Sequence, residues 1–136
     1  MPDRTRFAAV LAVLVLAACS RDNEINAVLD DVDAFTTEIV QAVQSAPDPA
    51  AGVDRALELI AEKGPDIRRK MASIKDVRGF QASDATKKRL ASSLTSNVTK
   101  VMGLQMTYMG RMVSSPAFKA KLEKLGNDYN ALLLGK

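Results

Sequence analysis

The sequence predicts an all-α chain folded as an antiparallel up-down-up-down four-helix bundle. Three observations carry that expectation. Apolar residues recur at steps of three and four along most of the chain, the spacing that lines one face of an α-helix. Two cap-then-proline signals, Asp48-Pro49 and Ser115-Pro116, open new helices. No stretch alternates apolar and polar residues as a half-buried strand does.

In the first helix Ile25, Val28, Val32, Phe35 and Ile39 step by 3, 4, 3 and 4. Asp22 or Asn23 suits its N-cap, and it ends before Pro47. The second helix starts at Asp48-Pro49 and carries Val53, Leu57, Ile60, Ile67, Met71 and Ile74 in phase. Gly64-Pro65 interrupts this run, yet Ile60 and Ile67 keep a heptad spacing. The expectation is one helix over about 49–78, kinked near 61–65, with two helices broken there as the alternative. Gly79 suits the stop and Phe80 the junction. Ser83 caps a third helix over about 84–113, striped by Leu90, Leu94, Val98, Val101, Leu104, Tyr108 and Met112. After Ser115-Pro116, the fourth helix carries Phe118, Leu122, Leu125, Tyr129 and Leu132. Short connections make consecutive helices antiparallel neighbours.

Composition narrows the function. The chain has 136 residues, 47% hydrophobic and 26% charged, which suits a globular domain. It has no His, so His-ligated metals and Ser-His-Asp or Cys-His catalysis are excluded. A single Cys excludes an intramolecular disulfide and a cysteine-cluster metal site. Ser96 and Lys100, or Glu58 and Glu62, are the nearest approaches to a catalytic pair, and neither spacing is specific. A bundle di-iron site draws on Glu-x-x-His pairs, which are missing. No positive case for an enzyme remains, and no cofactor or metal is expected.

The N-terminus speaks to location. Arg4 and Arg6 precede an uncharged run over residues 7–18. Those twelve residues span about 18 Å as a helix, short of a ~30 Å hydrocarbon core. A basic start, a short apolar run and small residues before a cut describe a secretory signal. Leu16-Ala17-Ala18-Cys19 resembles the lipobox of bacterial lipoprotein precursors. That resemblance covers residues 1–20 and leaves the rest of the chain without a recognised family. It implies a signal peptide over residues 1–18, cleavage before Cys19, and lipid on the new N-terminal cysteine. Residues 19–136 then form one lipid-anchored bundle facing the periplasm. Ser20 resembles the residue that follows the cysteine in lipoproteins sent to the outer membrane. Several acyl chains anchor firmly where one binds marginally. Nucleic acid is not an expected partner in that compartment.

Charge is segregated. Residues 20–66 hold 11 acidic and 3 basic side chains, whereas residues 67–136 hold 14 basic and 4 acidic. One expectation is mutual pairing, with acidic helix 1 beside basic faces. The other follows from the tether: Ser20 and Arg21 give about 10 Å between Cys19 and the first helix. The connection between helices 2 and 3 then returns to the membrane side. It carries Arg68, Arg69, Lys70, Lys75, Arg78, Lys87, Lys88 and Arg89, a patch suited to anionic phospholipid.

The second feature is Met102, Met106, Met109 and Met112, which lie with Tyr108 on one side of helix 3. Core packing is the plain expectation, since Met fills irregular gaps. Two others are an apolar face for an envelope partner protein and a soft thioether site for Cu(I). Ser96, Gly103 and Gly110 form a line of small residues that suits close helix packing. The functional expectation is a non-enzymatic binding or interaction module at a membrane surface. The alternative is a carrier of Cu(I) or a small apolar ligand.

Overall fold

The computed structural model describes residues 20–77 and 81–135. Every element within them is a helix: α1 (Asp22–Gln44), α2 (Pro49–Lys75), α3 (Asp84–Thr107), α4 (Met109–Ser114) and α5 (Pro116–Leu134). Strands are absent among the described residues, and no helix there is long and apolar enough to cross a membrane. The lipobox, Cys19, Arg78, Gly79 and Phe80 lie outside the described residues.

Caps fix most of the starts. Asp48 accepts from Ala50 N, Ser83 from Thr86 N and Ser115 from Phe118 N. The start of α1 differs from expectation. Its N-cap is Arg21, which makes no side-chain cap bond. Asp22 instead accepts from the backbone N–H of Ser83 at 2.8 Å, so its carboxylate ties two helix starts together.

Helix α2 runs unbroken through Gly64-Pro65. Pro65 denies a hydrogen bond to the carbonyl of Ala61, but both residues are exposed, so that carbonyl is open to solvent. Gly64 lies on the inner face, where an added Cβ would stand 2.7 Å from Leu132 Cδ1. The third helix divides at Tyr108, whose backbone (φ −106°, ψ 19°) leaves helical geometry and starts α4. The expected single helix to 113 is therefore two. The Tyr108 ring packs edge-on against Phe118, with centroids 5.9 Å apart, which holds the bend against the start of α5.

Helix α1 packs on α2 and α3, and α5 packs on the same two. Contacts along the chain give the directions. Glu38 meets Lys63 and Asp31 meets Lys70, so α1 and α2 are antiparallel. Asp30 meets Arg89 and Val43 meets Tyr108, so α1 and α3 are parallel. Asp54 meets Lys121, and Gly64 faces Leu132, so α2 and α5 are parallel as well. Helices α2 and α3, although consecutive, are absent from these broad packing pairs. The length of the connection permits this: α2 ends at Lys75, and eight residues, 76–83, can reach at most about 28 Å. That exceeds the roughly 14 Å diagonal of four helices packed 8–10 Å apart.

The α1 and α5 stripes are buried as expected, from Ile25 to Ile39 and from Phe118 to Leu132. In α2 the inner face turns by about one position: Ala56 and Leu59 are buried, while Leu57 and Ile60 are partly so. Each fully buried Leu, Ile or Val contributes about 1.5–3 kcal/mol. Phe35 and Tyr129 meet across the core at 6.4 Å.

Candidate functional site

The helix ends gather into two opposite poles. Arg21 N donates to Gln81 O, and Arg21 Nη2 donates to Ser73 O. The start of α1, the end of α2 and the start of α3 therefore share a basal pole. At the distal pole Arg111 of α4 pairs with Asp48 of the α2 cap at 2.6 Å and stacks over Phe118 at 5.0 Å.

The distal pole carries an apolar groove of about 540 Å³. Met106, Met109 and Met112 line it with Val113, Pro116 and Lys119. Exposure is the informative property here. Met106 is 76% exposed, Met109 58% and Val113 83%, although apolar side chains of this size ordinarily seek the core. Met106 lies on the outer face of α3, away from Val101 and Leu104, and Met109 and Val113 lie in α4 beyond the bend at Tyr108. The bend turns α4 across the end of the molecule while Leu104 and Val101, one and two turns earlier, remain buried. Tyr108 is half-buried and its hydroxyl reaches toward Val43 O at 3.5 Å, so the ring supports the bend rather than the groove.

Met102 stands apart from the other three. Its sulfur lies where a Cβ on Gly126 would be 3.1 Å away, and it accepts from Asn130 Nδ2 at 3.6 Å. The four expected methionines thus divide into one packing residue and three that share a groove. The line of small residues also behaves otherwise than expected. An added Cβ at Gly103 or Gly110 meets nothing within 4 Å. Close helix approach occurs instead at Gly52, where a Cβ would lie 2.6 Å from Ala42 O.

The basic residues of the basal pole are largely engaged. Lys70 pairs with Asp31 and Asp66, Arg69 with Asp66, Lys87 with Asp84, and Arg89 with Asp30 and Asp33. The acidic face of α1 therefore meets basic partners on α2 and α3. Arg68, Lys75 and Lys88 make no ion pair among the described residues. Glu58 and Glu62 both face Arg55, at 3.0 and 3.5 Å. Ser96 and Lys100 are both exposed.

A polar cluster inside the helix packing escaped sequence reasoning. Asn97, fully buried, donates to Asp33 Oδ1 at 2.5 Å, and Ser93 donates to the same oxygen at 2.7 Å. Burial pushes the Asp33 carboxyl up, but Asn97, Ser93, Arg89 and Lys100 together outweigh it and hold the group below the usual carboxylate range. Asn97 Oδ1 has no hydrogen-bond partner among the described residues. Nearby, Thr36 and the Tyr129 hydroxyl share a hydrogen bond, and Thr36 also donates to Val32 O. Burial pushes the Tyr129 phenol up to about 12. The i, i+4 spacing of Ser93 and Asn97 was the available signal. It was masked because Leu90, Leu94 and Val98 offered a competing apolar stripe on the same helix.

Comparisons with protein families, with characterised proteins and with solved structures find no match for this chain.

Proposed function

We propose that the chain is a lipid-anchored cell-envelope protein, an up-down-up-down four-helix bundle held at a membrane surface as a non-enzymatic interaction module. The observation that carries this is the exposed Met106, Met109 and Val113 around the distal groove. Flexible thioether side chains adapt to an apolar helix face or loop of a partner protein. Lipid on Cys19 supplies the anchor, the periplasm the compartment, and the outer membrane the destination favoured by Ser20. Support for the bundle order comes from the alternating directions of α1, α2, α3 and α5. Arg68, Lys75 and Lys88, which make no ion pair among the described residues, are the side chains that would meet anionic head groups.

The test uses the intact chain in its own envelope, with a photo-cross-linker at Val113. Two triple variants accompany it, both checked for helicity. Met106→Ser, Met109→Ser and Met112→Ser removes both apolar surface and sulfur. Met106→Leu, Met109→Leu and Met112→Leu removes sulfur alone. A protein adduct that survives the Leu set and disappears in the Ser set establishes an apolar docking face. Loss with both sets, together with Cu(I) binding by the wild type and by neither set, would establish the soft-metal carrier instead. An adduct indifferent to both sets sinks the distal face. Cys19→Ser tests the anchor separately and should release the chain from the membrane fraction.

A further inference from the structure

At the basal pole, opposite the methionine groove, lies a second cavity of about 480 Å³. Ile25, Met71 and Ile74 form one side of it, and Leu90 and Leu94 of α3 form another, with Leu133 closing the end of α5. It explains why Leu90 and Leu94, on the expected core stripe, are only partly buried. They line the cavity instead. In their place the inner positions of α3 go to Thr86, Ser93 and Asn97, which turns the apolar stripe toward the cavity.

Two lysines add to this lining. Lys75 and Lys87 both border it. Lys87 has Asp84 at 3.3 Å, whereas Lys75 has no carboxylate partner among the described residues and rests against Gly135. An apolar space bordered by an ammonium with no carboxylate partner among the described residues suits one class of ligand: a single acyl chain ending in an anionic head. At about 30 Å³ per heavy atom, the share a water takes in the liquid, 480 Å³ holds roughly 16 carbons. The volume also lies in the range of small-molecule pockets.

We propose that this cavity binds one acyl chain of an anionic single-chain amphiphile, with Lys75 and Lys87 facing its head group. The site is distinct from the distal groove and does not require the chain to be lipidated. Met71, Leu90 and Leu94 surround the hydrocarbon, and the ammonium of Lys75 gains a counter-charge that no carboxylate among the described residues provides.

The test is photolabelling of the full chain in phosphatidylcholine vesicles with a diazirine-bearing palmitate, followed by mapping of the labelled peptides. Saturable label on peptides holding Met71, Leu90 and Leu94, displaced by unlabelled palmitate, is expected. Lys75→Glu with Lys87→Glu, at exposed positions that leave the core intact, should weaken palmitate labelling by about tenfold. The same pair should leave labelling by the uncharged diazirine alcohol unchanged. Leu90→Glu with Leu94→Glu should abolish both. Unsaturable label, label confined to residues 1–18, or equal loss for acid and alcohol in the lysine variant would overturn the proposal. So would chain-to-chain cross-links in place of lipid label, which make the occupant a second copy. Label that appears only in Phe80→Ser would mean that the cavity is filled by the chain itself, with the same consequence.

Discussion

Asp33 and Tyr129 set the polar chemistry of the interior, and each predicts a pH response of opposite sign. The Asp33 carboxyl is depressed in the folded chain by Asn97 and Ser93 acting against its burial. It therefore contributes stability above the unfolded carboxyl value of about 3.9 and loses it as pH falls through the folded value. Asn97→Ala should destabilise by about 1–3 kcal/mol near neutrality, because a hydrogen bond to a charged group is lost. The gap between wild type and variant in urea melts should narrow below about pH 4. A gap that holds constant with pH would detach Asn97 from Asp33. Tyr129 behaves in reverse. Its phenol is raised to about 12 by burial, so its contribution is complete below the unfolded value of about 10 and disappears between there and the folded value. A phenolate difference titration of wild type against Tyr129→Phe should show a midpoint near 12. The substitution itself should cost about 1 kcal/mol, since Thr36 keeps its bond to Val32 O.

At the scale of the element, glycine separates the helices that approach closely from those that do not. A Cβ on Gly52 would stand 2.6 Å from Ala42 O and 2.8 Å from Val43 Cα, both backbone atoms that move only with the helix. Gly52→Ala should destabilise by about 1–3 kcal/mol through overpacking of α1 on α2. Gly103→Ala should stabilise by about 0.5–1 kcal/mol, because the new methyl meets nothing and the helix gains propensity. Denaturant midpoints of the two variants should thus move in opposite directions. If both fall, Gly103 packs against something. The sequence spoke clearly where one residue type had one use. Asp48-Pro49, Ser83 and Ser115-Pro116 named three helix starts, and the α1 and α5 stripes named two inner faces. It was ambiguous where two patterns overlapped. In α3, Leu90-Leu94-Val98 and Ser93-Asn97 are both helical stripes, and only the presence of Asp33 on the facing helix lets the polar one face inward. The break at Tyr108 had no proline to announce it. It is held by Phe118, which is near in space and far enough in sequence to be invisible to periodicity.

At the scale of the whole molecule, the two poles give the proposed anchor a geometric consequence. Helix α1, 23 residues long, separates them by about 35 Å. Ser20 and Arg21 leave only about 10 Å between Cys19 and that helix. A chain held by lipid at Cys19 must therefore present the basal pole, with Arg68, Lys75 and Lys88, to head groups. The methionine groove would then face away from the bilayer, beyond the reach of anionic lipid given a screening length near 8 Å. Fluorophores on Lys88→Cys and Val113→Cys, two exposed positions, test this directly in the lipidated protein. Quenching by lipid-borne spin labels should be strong for the first and weak for the second. A soluble quencher should reverse the order. Equal quenching at both sites would mean that the molecule lies along the membrane. The distal groove would then be a membrane-facing surface, and its exposed methionines would mark contact with lipid rather than with a protein partner.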